Sequence, residues 1–142
     1  MTTYLVDTNV LSEARKGRRA DPLVQRWFEE VPQRAFFLSA ITIMEIRWGI
    51  LRLARRAPDD AAVLGRWLTG NVLPAYDGRI LPFGATEALL CGAMQAEAGT
   101  ESYDSLLAAT AAVHGLVVLT RNTRDFRFPE ITVIDPFVQG PG

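Results

Sequence analysis

Apolar positions recur along this chain in two alternating rhythms, one short and continuous, the other helical. Residues 3–6 form a brief, partly β-branched apolar run that ends in Asp7-Thr8-Asn9, after which helical spacing begins. This predicts strand, polar turn and helix. Asp21-Pro22 supplies an N-cap and a proline at the first helical position. The helix it opens carries Leu23, Val24, Trp27 and Phe28 on its apolar face, and Pro32 closes it. Residues 35–38 predict a second strand, and residues 42–56 a long helix with Ile43, Ile46, Ile50 and Leu53 on one face. A further helix runs from Pro58 through Val63, Leu64, Trp67 and Leu68 to Pro74 and the Asp77-Gly78 turn. Then come a short strand at 79–82, helices at 86–98 and 103–114 with Gly115 as C-cap, and strands at 116–119 and 131–134.

Strands that alternate with helices predict an α/β fold with a mostly parallel central sheet covered on both faces, because parallel neighbours need long crossover connections. In such sheets ligands bind beyond the carboxyl ends of the strands. Asp7 follows the first strand, and Glu45 is expected in the first turn of the helix after the second. Asp104 opens the helix before the fourth strand, and Asn122 and Asp125 occupy the loop after it.

Each acid also has a simpler reading. Asp7 suits a turn or helix cap, and Thr42-Ile43-Met44-Glu45 fits a capping box. Asp104 stands where a carboxylate complements a helix dipole. Together they ask for more, since two bare carboxylates about 4 Å apart repel by roughly 4 kcal/mol at an effective dielectric of 20. A hard divalent cation such as Mg²⁺ relieves that repulsion. It takes oxygen ligands, accepts phosphate oxygens and activates water for phosphodiester hydrolysis. Histidine-based schemes have little to work with, because His114 is the only histidine and sits at a predicted helix end.

Composition narrows the field. The 142 residues, 49% of them hydrophobic, suffice for one core, so a single domain is expected over residues 1–138 with a flexible tail at 139–142. With 15 basic and 16 acidic residues there is no global field for nucleic acid, and any phosphate contact must be local. Candidates are the run Arg15, Lys16, Arg18 and Arg19, and Arg121 and Arg124 around Asn122; a solvated face is the competing reading for both. A lone Cys91 excludes an internal disulfide or a cysteine-rich zinc cluster. The opening MTTYLVDTNV has no basic leader or apolar core, and no apolar run is long enough to span a bilayer. A cytoplasmic protein without membrane association is expected.

Four segments, LVDTNVLSE from Leu5, LSAITIMEIRWG from Leu38, YDSLLAATA from Tyr103 and VVLTRNTRDF from Val117, together resemble the PIN-domain family, in its order and spacing and over essentially the whole chain. The likeness is greatest to its VapC-type toxins, in particular the FitB-like branch. The resemblance implies a three-layer α/β/α sandwich, usually dimeric, that cleaves single-stranded or looped RNA with Mg²⁺ or Mn²⁺ and is held inactive by a small VapB-like antitoxin. It implies Asp7, Glu45 and Asp104 as metal or metal-water ligands. Where family members often carry an aspartate after the Thr-Arg pair, this chain has Asn122, with Asp125 three residues on. An amide is a neutral and poorer ligand, so one metal or two, and the roles of Asn122 and Asp125, stay open. Thr8 and Asn9 are read as supporting residues. In relatives the helix carrying Trp48 and Leu51 contributes to the antitoxin groove, which makes these two partner anchors, against the alternative that they pack in the core. A non-catalytic module of the same fold, binding RNA or a protein, is the other function this pattern allows.

Overall fold

The computed structural model describes residues 1–142. Five strands, β1 (Tyr4–Val6), β2 (Phe36–Ser39), β3 (Ile80–Leu81), β4 (Val117–Leu119) and β5 (Val133–Ile134), pair in the order β3-β2-β1-β4-β5. Every pairing is parallel. The expected mostly parallel sheet is therefore wholly parallel. The chain winds outward from β1 to β3 on one side, then crosses to β4 and β5 on the other. The direction of winding reverses beside β1, and the crevice at such a switch point is where an open α/β sheet receives ligands.

Helices α1 (Thr8–Ala14), α2 (Pro22–Glu30), α3 (Ala40–Leu53), α4 (Pro58–Trp67), α5 (Leu73–Ala75), α6 (Ala85–Ala98) and α7 (Tyr103–His114) complete the outer layers. Side chains alternate across the strands. Val6 and Leu119 join Val10, Trp27, Phe36, Ile46 and Ile50 in a core beneath α1 to α5. Leu5 and Val118 instead join Cys91, Met94, Leu107 and Phe126 beneath α6 and α7. Two cores on opposite faces of one sheet make the three-layer sandwich. Alanines at 108, 109 and 111, all fully buried, let α7 lie close against its neighbours.

Three local details depart from the hydropathy pattern. The long helix starts at Ala40, two residues early, because Ser39 is its N-cap and its Oγ accepts from the Ile41 N–H at 3.0 Å. The helix from Pro58 reaches Pro74 only through a π-helical turn, Leu68–Val72, that widens the backbone ahead of the proline. At the C-terminus, the Trp27 indole N–H donates to the Gln139 carbonyl at 2.7 Å, which ties the chain to α2 as far as residue 139.

Candidate functional site

Helices α1, α3 and α7 all begin at the carboxyl edge of the sheet, so their first turns and the loop after β4 meet beside the switch point. Asp7 stands at its centre, 6% exposed. Its Oδ1 accepts from the Thr8 N–H at 2.8 Å, and its Oδ2 from the Thr120 hydroxyl at 2.7 Å and the Asn9 amide at 3.2 Å. Asp7 is thus the N-cap of α1, as the simpler reading held, and also the buried centre of an acidic cluster. Burial pushes its carboxyl upward against the pull of those three donors, and Asp125 adds to the rise.

Glu45 lies in the second turn of α3 rather than the first. With Ser39 as the cap, Thr42 is the third helical residue and Glu45 the sixth, so the capping box does not form. Its half-buried carboxyl is raised by burial, then by Asp7 and Asp104. Asp104 is the second residue of α7, while Ser102 is the cap, accepting from the Ser105 N–H at 3.2 Å. Burial first, then Asp7 and Asp125, push Asp104 up to about 6. Asp125 is exposed on a 3₁₀ helix, Thr123–Phe126, yet close enough to raise both aspartates. Asn122 behaves differently. It is exposed, and it enters the site through its backbone, donating its N–H to Thr120 Oγ1 at 3.0 Å.

Thr120 is a residue of this cluster that the sequence pattern did not single out. Fully buried, its Oγ1 accepts from the Asn122 N–H and from the Asn9 amide at 3.3 Å. With its lone pairs taken by donors, its own hydrogen is directed to Asp7. Asn9 completes the support by accepting the Arg121 N–H at 3.0 Å, which fastens the loop after β4 to the first turn of α1.

As the side chains lie, no three of the carboxylates close round a single point. The cluster's chemistry fits a hard divalent cation. All its acidic donors are carboxylate oxygens, and their mutual repulsion goes unrelieved, since the ion pairs of the chain, Lys16–Glu13 and Arg26–Glu30, lie elsewhere. Beside them the buried Thr8 Oγ1 has no hydrogen-bond partner. Thr8 and Glu45 line a cavity of about 450 Å³ together with Met44, Trp48 and Tyr103.

The basic residues divide. Lys16 is engaged by Glu13 at 2.8 Å, and Arg15, Arg18 and Arg19 lie beyond the far end of α1, a seven-residue helix about 10 Å long, rather than beside the crevice. Arg121 turns away on to the Phe137 ring, 4.4 Å from its centroid. On α3 the core reading fails for Trp48 and Leu51, which are 61% and 52% exposed and form one stripe with Met44. Ile46 and Ile50 are the α3 residues that enter the core.

The PIN domain family matches residues 4–132. The chain is 35% identical over 138 residues to the VapC ribonuclease Y4jK of Sinorhizobium fredii, covering 94% of this chain and 96% of the relative. The crystal structure of FitAcB from Neisseria gonorrhoeae superposes with a TM-score of 0.82 at 32% identity, covering 96% of this chain and all of that one. A toxin-antitoxin complex from Klebsiella pneumoniae superposes with a TM-score of 0.66 at 29% identity, covering 94% and 98%.

Proposed function

The chain belongs to the PIN-domain family, and from that premise we propose that it is a Mg²⁺- or Mn²⁺-dependent endoribonuclease, the toxin of a toxin–antitoxin pair acting in the cytoplasm. The observation that carries this reading is the meeting of Asp7, Glu45 and Asp104 from the starts of three helices, each carboxyl raised by burial and by another acid of the cluster and none of them in an ion pair. A structural role would not need several carboxylates raising one another's affinity for protons.

In this reading Asp7, Glu45 and Asp104 would hold the metal once their side chains turn towards it, and Asp125, rather than Asn122, would be the fourth carboxylate. Bound there, the ion supplies an activated water and neutralises charge on the scissile phosphate. The protein's part is orientation. Three hydrogen bonds fix the Asp7 carboxylate and occupy both acceptor sites of Oδ2 and one of Oδ1, so that Oδ1 keeps the lone pair left for a cation. Glu45 reaches the same edge from α3 and Asp104 from α7, each held by a rigid helix rather than a loop. His114, exposed at the C-terminal end of α7, takes no part.

The apolar stripe of Met44, Trp48 and Leu51 supports a protein partner, because neighbouring exposed apolar residues of this size are costly unless covered. We assign it to a VapB-like antitoxin, with Trp48 and Leu51 as anchors, on a chain that itself forms a homodimer. No helix is long and apolar enough to cross a membrane. Induced expression in a bacterial host tests the toxin reading. Wild-type chain is expected to arrest growth, and Asp7→Asn to relieve the arrest at equal protein level. Arrest that persists with Asp7→Asn contradicts the reading.

A further inference from the structure

A cleft of about 230 Å³, which shares no lining residue with the aromatic cavity, has Thr100, Ser102, Asp104, Arg124, Asp125 and Arg127 as its polar lining. Its two arginines are placed by a backbone device. Arg124 lies within the 3₁₀ helix Thr123–Phe126 and Arg127 is the residue that ends it, and both line the one cleft. Phe126 and Phe128, 2% and 9% exposed, pin the backbone to the core on either side of Arg127. Both guanidiniums stay free. Neither forms an ion pair with Asp104 or Asp125, although those acids line the same cleft.

Two guanidiniums that line one cleft without an ion pair form a place for an anion. The neighbouring acids are committed to a cation in the reading above. A polyanion approaching four carboxylates needs positive charge close by, in a chain whose net charge is −1. Arg121 and Lys16 are turned elsewhere. A polynucleotide satisfies both halves of this surface, since it brings one phosphate to the acids' cation and the next to the arginines.

We infer that the Arg124–Arg127 cleft is a phosphate subsite for RNA, in which the two guanidiniums grip the phosphate adjacent to the one being cut. The inference rests on the ribonuclease reading and deepens it. Arginine suits the task because its planar fork binds phosphate oxygens in pairs.

Binding of a fluorescein-labelled single-stranded RNA, titrated with salt in an Asp7→Asn background that does not cut, tests the subsite. Adding Arg124→Gln with Arg127→Gln is expected to weaken binding about tenfold. The salt dependence should become shallower by about 0.7 in log K against log salt, the value for one phosphate contact on a single strand. Mn²⁺ binding, measured with Asp7 intact, should not weaken, because the substitutions remove positive charge beside the acids. Arg124→Lys with Arg127→Lys is expected to restore the slope and only part of the affinity. Unchanged affinity and slope in the glutamine pair overturn the subsite; wild-type cleavage of RNA in the same preparation then leaves the nuclease reading standing. A wild-type chain that neither binds nor cuts RNA overturns both. A glutamine pair that keeps RNA binding but loses its antitoxin complex gives the cleft to the protein partner and likewise overturns the proposal.

Discussion

Asp104→Asn is expected to lower RNA cleavage by about a thousandfold, the equivalent of about 4 kcal/mol of transition-state stabilisation withdrawn with a metal ligand. The substitution is nearly isosteric at a position that makes no cap, because Ser102 already supplies the side-chain oxygen at the start of α7. The fold should survive it, and indeed gain. Burial and two neighbouring aspartates oppose the Asp104 charge, and a neutral amide removes that opposition. After discounting for partial exposure, the metal-free variant should be more stable by about 1 kcal/mol above pH 6. Thermal melting beside a cleavage assay reads both effects. A variant that cuts like wild type, or that loses activity because it is less stable, contradicts the assignment.

The second large effect is on pH. The Asp104 carboxyl titrates at about 6 in the folded, metal-free chain against an ordinary value of 3.8, so between those limits the folded state holds the extra proton. Stability of the metal-free chain should therefore be greatest below this window and decline as pH rises through it. Metal binding runs the other way, because the ligand must be deprotonated. At subsaturating Mg²⁺, cleavage should fall about tenfold for each pH unit below about 6, the slope of one competing proton. Glu45 and Asp7, both also raised, act in the same direction. Rates across the acid range, with circular dichroism to confirm folding, check this. A flat profile through that range means that the raised carboxyl does not govern the reaction.

Much of this was legible in the sequence, for identifiable reasons. The strands read clearly because a parallel strand buried on both faces is a short continuous apolar run, and Leu5-Val6 and Val118-Leu119 are such runs. The ends of α7 read clearly because Gly115, at φ 66, occupies the left-handed position that favours glycine. The misreading of Glu45 came from two competing caps three residues apart. Ser39 and Thr42 both suit an N-cap, and only the backbone settles that Ser39 takes the role.

Thr120 was hidden because a threonine at a strand end resembles any turn residue. Its importance lies in contacts with Asp7, 113 positions away, and with Asn9. The uncertain fourth carboxylate depended on a 3₁₀ helix too short for periodicity to announce, yet that helix carries Asp125 within reach of the other acids. On α3, apolar residues lie round most of the helix. Pattern alone does not separate the buried Ile46 and Ile50 from the exposed Trp48 and Leu51.

The central claim is that this carboxylate cluster cuts RNA through a bound divalent ion. It is tested most directly by incubating a mixed RNA pool with purified wild-type chain stripped by a chelator, then adding back Mg²⁺ or Mn²⁺. The account predicts no cleavage in the stripped sample, recovery with either ion, and no recovery in Asp7→Asn or Asp104→Asn. Cleavage that persists after stripping, or intact RNA at every metal concentration with a fully folded chain, would contradict it.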